Sequence, residues 1–327
     1  MIRLTRRGKP LPCPRFIYVE PTNICNYKCP KCPQSEGVKR PPATMSIELF
    51  RELINQLKPY RPRITLHHSG EPLLNPNIFD MIKIARDAGI MTAVFTNVSL
   101  LDRDDFRIVA EGPDAITFSV DSADEVSYSR LHGGAEWEKV KRNIEEFFRR
   151  LSSSSPVKYV QLLAVINDQS QEEIAVLRDF IPRFPFNSVV IKNAFAWPRG
   201  EGEAEPSFPE NYMLLPCAHP WLSPAVLADG SVSPCCLDAH GLYRVGNIAD
   251  ASFMELFNGE KMNELRLHLL YPDKTHSVPL CDSCCLRRLG YPMTWKRRLA
   301  FYTMPVWRLL LKNPPTPVEA LEIQESS

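Results

Sequence analysis

The sequence predicts an α/β fold: a parallel sheet flanked by helices, followed by a smaller region with a β-hairpin and helices. Three observations lead there. About six strand-like stretches alternate with helix-like stretches through the first two thirds of the chain, the pattern of consecutive β/α units in an open sheet or a barrel. The polar, acidic, Pro/Gly-rich stretch 198–216 then interrupts the alternation like a linker. Beyond it lies a segment small for an independent core and crowded with cysteines, which a bound metal would help to hold together.

The first strand is the apolar run Phe16–Glu20. A helix over Ser46–Leu57 carries Ile47, Phe50, Leu53, Ile54 and Leu57 at helical spacing, with Ser46 as N-cap and Pro59 as the stop. Arg63–His67 is the second strand, Ile78–Ala88 a helix closed by Gly89, and Ile90–Thr96 the third strand. A helix over 102–110 precedes the fourth strand, Ala115–Val120. The amphipathic stretch Trp137–Leu151, the strand Lys158–Ile166, a helix opened by the Ser170/Glu173 capping box, and the strand Ser188–Ile191 complete the series. In the second region, Asp229-Gly230 between Ala225–Leu227 and Ser231–Ser233 predicts a tight hairpin with a type I′ turn. Helices over Ser252–Phe257 and Lys261–Leu270 follow. The expected divisions are 1–200, 201–294 and a basic, aromatic tail over 295–327.

The 327 residues are 44% hydrophobic and 24% charged, so the chain can bury a core and is neither disordered nor a small disulfide scaffold. A net charge of +1 gives no reason to expect nucleic acid. Thirty prolines against fourteen glycines imply stiff loops. The N-terminus is basic but no apolar stretch follows it, and no run approaches the length of a membrane span. The expected setting is a reducing cytoplasm, where clustered cysteines act as metal ligands or catalytic thiols.

The ten cysteines fall into groups. Cys25, Cys29 and Cys32 form C-x3-C-x2-C directly after the first strand. Three soft thiolates suit zinc or an iron–sulfur cluster, and three ligands leave a coordination position open. Cys217, Cys235, Cys281 and Cys284 form C-x17-C-x45-C-x2-C in the second region, a ligand set for a second iron–sulfur cluster or for zinc. Cys13, Cys236 and Cys285 are left over. Such thiols are ordinarily small buried hydrophobes; Cys236 or Cys285, next to expected ligands, is alternatively a hydrogen-atom donor.

The stretch EPTNICNYKCPKCP resembles the radical S-adenosylmethionine (radical SAM) enzymes. The resemblance implies a partial (β/α)6 TIM-like barrel. It implies a [4Fe–4S] cluster held by Cys25, Cys29 and Cys32, with SAM on the remaining iron. Ser69-Gly70-Glu71-Pro72 is similar to the family's GGEP motif, with Ser69 in place of a glycine, and implies a SAM-binding backbone. Thr96-Asn97 resembles the family's TNG, with Val98 in place of glycine. Ser119, Asp121 and Arg130 fall where relatives bind the ribose and carboxylate of SAM. From Gly230 to Cys284, the second region resembles the shortened SPASM, or twitch, extension. That likeness selects Cys217, Cys235, Cys281 and Cys284 as ligands of one auxiliary [4Fe–4S] cluster.

Together these resemblances imply an oxidoreductase acting on a small hydroxylated metabolite, such as a sugar or aminocyclitol. An external one-electron donor such as flavodoxin or ferredoxin would reduce it. Epimerisation and peptide maturation are the other activities of the group, and a zinc-bound structural protein is the non-enzyme reading. Lys192 and Glu20, at strand ends, are candidate bases or substrate contacts. The tail, with Trp295–Tyr302 and Val306–Lys312, either packs as a helix or makes a weak membrane contact.

Overall fold

The computed structural model describes residues 10–166, 168–194, 197–198, 217–270, 278–282 and 284. Its first part is six successive parallel strands: β1 (Phe16–Val19), β2 (Arg63–Leu66), β3 (Thr92–Thr96), β4 (Ala115–Ser119), β5 (Tyr159–Ile166) and β6 (Ser188–Asn193). Each pairs with the next in chain order. Helices α1 (Ile47–Leu57), α2 (Ile78–Asp87), α3 (Arg107–Glu111), α4 (Glu125–Leu131), α5 (Trp137–Arg150) and α6 (Gln171–Phe180) connect them. This is the open, partial barrel that the sequence led us to expect.

Local sequence explains most boundaries. Ser46 caps α1 by accepting from Leu49 N–H, and Ser170 and Glu173 close the capping box of α6. Gly89 takes φ +70° behind α2, as a C-terminal glycine does. The helix expected from residue 102 begins only at Arg107, because Asp104, Asp105 and Phe106 all adopt left-handed backbone. Helix α4 was not expected. It is only 7 residues long, with Asp124 capping Ser127 N–H, and Val126 on it is 79% exposed, so no apolar stripe announces it.

Inward-facing residues lie in rows across the sheet. Registers align Tyr18 with Thr65, Thr65 with Ala93, Ala93 with Ala115, and Ala115 with Tyr159. Two residues further along each strand, the same face carries His67, Phe95, Thr117, Gln161 and Ser188. The bulk of the apolar core lies on the other side, between sheet and helices, around Ile17, Ile64, Val94, Ile116 and Leu162. The inner face thus becomes more polar toward the carboxyl ends of the strands, where β/α folds bind ligands.

The second region continues this sheet. After α7 (His219–Leu222), strand β7 (Ala225–Val226) pairs parallel to β1. Strands β8 (Ser231–Ser233) and β9 (Gly246–Asn247) follow antiparallel, giving the order β6-β5-β4-β3-β2-β1-β7-β8-β9. Of the Asp229-Gly230 pair only the glycine has positive φ (+83°), and Gly230 N–H donates to Leu227 carbonyl. The turn is therefore not the expected type I′, which needs both residues at positive φ. Helices α8 (Phe253–Asn258), α9 (Glu260–Leu270) and α10 (Pro279–Asp282) complete the described chain. Arg266 on α9 is fully buried and stacks on Phe257 at 4.3 Å. It donates to the Pro220 and Phe257 carbonyls, so one side chain ties α7, α8 and α9 together.

A buried ion pair of the first part reaches into the second through hydrogen bonds. Glu20, just past β1, receives both Arg40 terminal nitrogens (2.8 and 2.7 Å), Ala228 N–H of the hairpin (2.9 Å) and lies 3.2 Å from His68 Nδ1. Arg40 also donates to Ala239 carbonyl. Both charges are buried. Among the described residues, no helix is long and apolar enough to cross a membrane. Cys285 and the tail from 295 lie outside the described residues, as does most of the 198–216 stretch.

Arg40→Met removes one member of a buried ion pair and is expected to cost about 3–5 kcal/mol of stability by chemical denaturation. Glu20 gives the pH dependence. Its folded carboxyl is held well below the ordinary range by His68 and Arg40, against the opposing effect of burial. Its contribution is complete above about pH 5, begins to fall near the unfolded value of about 4.3 and is fully lost only as pH falls through the lower folded value. The stability gap between the parent and Glu20→Gln should therefore narrow by about 1 kcal/mol from pH 7 to pH 3.5.

Candidate functional site

The residues expected to bind SAM and iron come from loops at the carboxyl ends of β1 to β4 and from the strand ends themselves. Cys25, Cys29 and Cys32 lie on the loop after β1, half-buried. A turn from Cys32 N–H to Cys29 carbonyl (2.9 Å) shapes it, and Ser35 Oγ donates to Cys32 carbonyl (2.8 Å). The three thiols are close enough that the charges of Cys32 and Cys25 oppose ionisation of Cys29. Burial dominates, raising Cys25 to about 11 and Cys32 and Cys29 above the ordinary value as well. Such thiols form stable thiolates when a metal supplies compensating charge. The donor set fits a soft iron–sulfur centre with a coordination position left open.

The loop after β2 is built against this one. A Cβ on Gly70 would lie 2.4 Å from Thr22 carbonyl oxygen and 2.5 Å from that of Ile24, so glycine is required for the approach. Glu71 N–H donates to Ile24 carbonyl. The Glu71 carboxylate is buried and accepts Leu73 N–H (3.1 Å) and Asn97 N–H (2.8 Å), and burial raises it to about 7. Its side chain thus braces the loops after β2 and β3. Ser69 Oγ lies 2.9 Å from His68 Nδ1. Asn97 donates to Asn26 Oδ1 (2.9 Å) and accepts from Ser99 Oγ (2.6 Å), while Asn26 donates back to Ser99. Val98, at the position of the glycine in the motif that Thr96-Asn97 resembles, takes φ +71° and is fully buried, a strained conformation for a β-branched residue.

Further round the rim, Ser119 ends β4. Asp121 accepts Val165 N–H (2.8 Å) and is raised by burial to about 6. Lys192 is paired in register with Val165. Burial lowers its pKa, while the charges of Cys236 and Asp121 oppose that shift. Lys192 therefore shares the inner face with both.

Two expectations are corrected. Glu20 is a poor candidate base: Arg40, His68 and Ala228 occupy its oxygens, and the pairing lowers its affinity for a proton. Arg130 points outward and pairs with Asp168 (3.1 Å) and Glu173 (2.8 Å), its side chain 42% exposed. It joins α4 to α6 rather than facing the cysteine loop.

The second cysteine set converges on one small cavity of about 20 Å³. Cys217, Cys235, Cys281 and Cys284 line it, with Leu237, Leu265, Leu269 and Leu280 as its apolar wall. Four thiols in an apolar shell fit a fully protein-ligated cluster. Cys236 does not line the cavity. It packs both against the inward-facing group of Tyr18, Phe95 and Leu227 and against the cluster around the cysteine cavity; its Sγ lies 3.8 Å from Nδ1 of His219, and the ligand atoms of His219, Cys235 and Cys236 lie within 4.8 Å of one another. Cys13, half-buried, packs against the main core, and burial raises it to about 12. Sequence reasoning missed Arg40, His68, His219 and His132. None belongs to a recognisable motif; only their tertiary neighbours single them out.

An α/β barrel with an open-coordination cysteine loop at its mouth, and a second cysteine cavity beside it, defines an iron–sulfur enzyme of the SAM-cleaving kind. Residues 19–181 match the radical SAM superfamily, and 217–285 match the iron–sulfur cluster-binding SPASM domain. The chain is a radical SAM superfamily enzyme with a SPASM domain, and its cofactors are [4Fe–4S] clusters and SAM.

Its relatives are diverse. A tungsten-containing aldehyde ferredoxin oxidoreductase cofactor-modifying protein of Pyrococcus furiosus is 21% identical, across 84% of this chain and 88% of that protein. A GTP 3′,8-cyclase of Chlorobaculum tepidum is 25% identical across 50% of each chain. Among solved structures, BtrN in complex with AdoMet and 2-DOIA superposes with TM-score 0.56 at 20% identity, covering 83% of this chain and 93% of BtrN. Streptococcus suis SuiB bound to precursor peptide SuiA gives 0.64 at 15% identity, covering 86% and 71% respectively.

Anaerobically purified protein should carry about eight irons and as many sulfides, from two four-iron clusters. Stoichiometric zinc without iron would refute this. Gly70→Ala should displace Thr22–Ile24 and remove about half of the iron; full iron content in that variant would show that the close approach is dispensable.

Proposed function

We propose that this enzyme oxidises a small hydroxylated metabolite, such as a sugar or aminocyclitol, by radical dehydrogenation. The cavity shared by Cys217, Cys235, Cys281 and Cys284 carries the reading: one such cluster beside the barrel provides an outlet for the substrate's electron. When bound, SAM and the catalytic cluster supply a 5′-deoxyadenosyl radical that abstracts hydrogen from substrate, and the auxiliary cluster supplies an electron acceptor.

The chain's own residues do the rest. Cys25, Cys29 and Cys32 hold the catalytic cluster. The backbone of Ser69, Gly70 and Glu71, with Asn97 and Ser119, shapes the SAM site beside it. Asp121 supports the rim through Val165. Lys192, its pKa lowered by burial, takes the hydroxyl proton as the substrate radical gives up its electron. An external one-electron donor of the flavodoxin or ferredoxin type reduces the catalytic cluster.

A second reading is epimerisation, favoured by Cys236. Its thiol packs against the inward-facing group of the barrel, where a hydrogen-atom donor to a substrate radical would be needed.

Reduction in the presence of SAM should release 5′-deoxyadenosine from the parent and not from Cys25→Ala. A screen of polyols should yield a product lighter than its substrate by one H₂. An isomer of unchanged mass, formed by the parent but not by Cys236→Ala, would replace oxidation by epimerisation. Lys192→Met should retain 5′-deoxyadenosine formation while lowering product formation about 10²-fold or more; undiminished product would remove Lys192 from the reaction.

A further inference from the structure

One side of the cysteine loop meets a histidine that no motif marks. His132 is 4% exposed, and its Nδ1 lies 3.3 Å from Cys29 Sγ. The ring packs on Tyr128, centroids 4.2 Å apart, and approaches Tyr27 at 5.9 Å.

The end of α4 fixes this position. His132 N–H donates to Tyr128 carbonyl, Gly133 takes φ +65°, and Gly134 N–H reaches back to Ser129 carbonyl at 2.8 Å. This is the arrangement of a Schellman cap. A Cβ on Gly133 would lie 2.4 Å from Lys28 carbonyl oxygen. The helix end therefore sits backbone-to-backbone against the loop, one residue before Cys29. The other ring nitrogen, Nε2, is buried without a hydrogen-bond partner among the described residues, and Asp121 Oδ2 stands 3.7 Å from it. A cluster thiolate can only accept, so a ring proton at Nδ1 satisfies the close pair.

We propose that His132 donates Nδ1–H to the Cys29 thiolate and so raises the reduction potential of the catalytic cluster. The inference rests on the assignment of Cys25, Cys29 and Cys32 as its ligands. Reduction adds negative charge that is shared by the sulfurs, and a donor aimed at one of them stabilises that charge. Hydrogen bonds to sulfur are among the factors that set the potentials of such clusters. His132 acts through a ligand and is a positioning residue.

The test is an EPR-monitored redox titration of the reconstituted full chain, following the SAM-responsive signal. His132→Phe keeps an aromatic ring but removes the donor. It should keep the parent iron content while the reduced-to-oxidised ratio at fixed potential falls about tenfold, a shift of about 59 mV for one electron. His132→Asn restores an amide donor and should recover most of the shift. An unshifted midpoint in His132→Phe at full iron content overturns the proposal, as does an equal shift in both variants.

Pulsed EPR of the ¹⁵N-histidine-labelled parent supplies a readout independent of any variant's stability. A histidine nitrogen coupled to the reduced SAM-responsive cluster is expected, and its absence also overturns the proposal. Failure of the parent to bind iron at this loop would instead sink the ligand assignment.

Discussion

The buried Glu20–Arg40 pair holds the architecture together. Glu20 ends β1, Arg40 follows the cysteine loop, His68 follows β2, and Ala228 belongs to the hairpin. A single carboxylate thus collects donors from the segment after the cysteine loop, the end of β2 and the hairpin. Buried ion pairs are weak sources of net stability, because both charges must leave water. Here the desolvation is offset by several hydrogen bonds at once, and any other arrangement of the segments would leave a buried charge uncompensated. The pair selects one arrangement of cysteine loop against hairpin, and the adjacent strands β1 and β7 continue that choice as a backbone ladder.

A second constraint is steric. The cysteine loop has little regular structure of its own, and it is positioned by neighbours that approach it at backbone distance. Gly70 packs on it from the β2 loop and Gly133 from the end of α4. Glu71 and the Asn26–Asn97–Ser99 group close the remaining side with hydrogen bonds. Three thiols are thereby placed without a helix or strand beneath them. The auxiliary cavity works differently. Its thiols come from distant stretches of chain and are gathered by apolar packing of Leu265, Leu269 and Leu280, with Arg266 tying the helices around them.

The strands were legible because each is a short β-rich run bounded by turn signals. The helices α1, α5 and α6 were legible from periodicity or caps. Helix α4 was not: it buries Ser127, Tyr128 and Leu131 but has too few residues for a stripe to register. The hairpin was expected, yet its turn type was wrong, because Asp-Gly supports several loop conformations and the pairing with β1 and β9 decides among them. Spacing identified both cysteine sets. It could not show that the Cys235 and Cys236 thiols come together with His219, their ligand atoms within 4.8 Å of one another, since His219 reaches them from another segment.

The sequence by itself determined the class of chemistry. Ligand type and spacing are local properties, and C-x3-C-x2-C after a first strand keeps its meaning wherever the strand lies. Only the tertiary structure decided which partners each charged residue meets. Glu20 and Lys192 both stand near the carboxyl ends of strands and look alike in sequence, but Glu20 is paired with Arg40 from another loop, whereas Lys192 lies within β6 on the inner face. The same holds for Arg130, drawn outward by Asp168 and Glu173, and for His132, brought to Cys29 from 103 residues away. A charged group's role depends on its partners and its burial, and residues far apart in the chain set both.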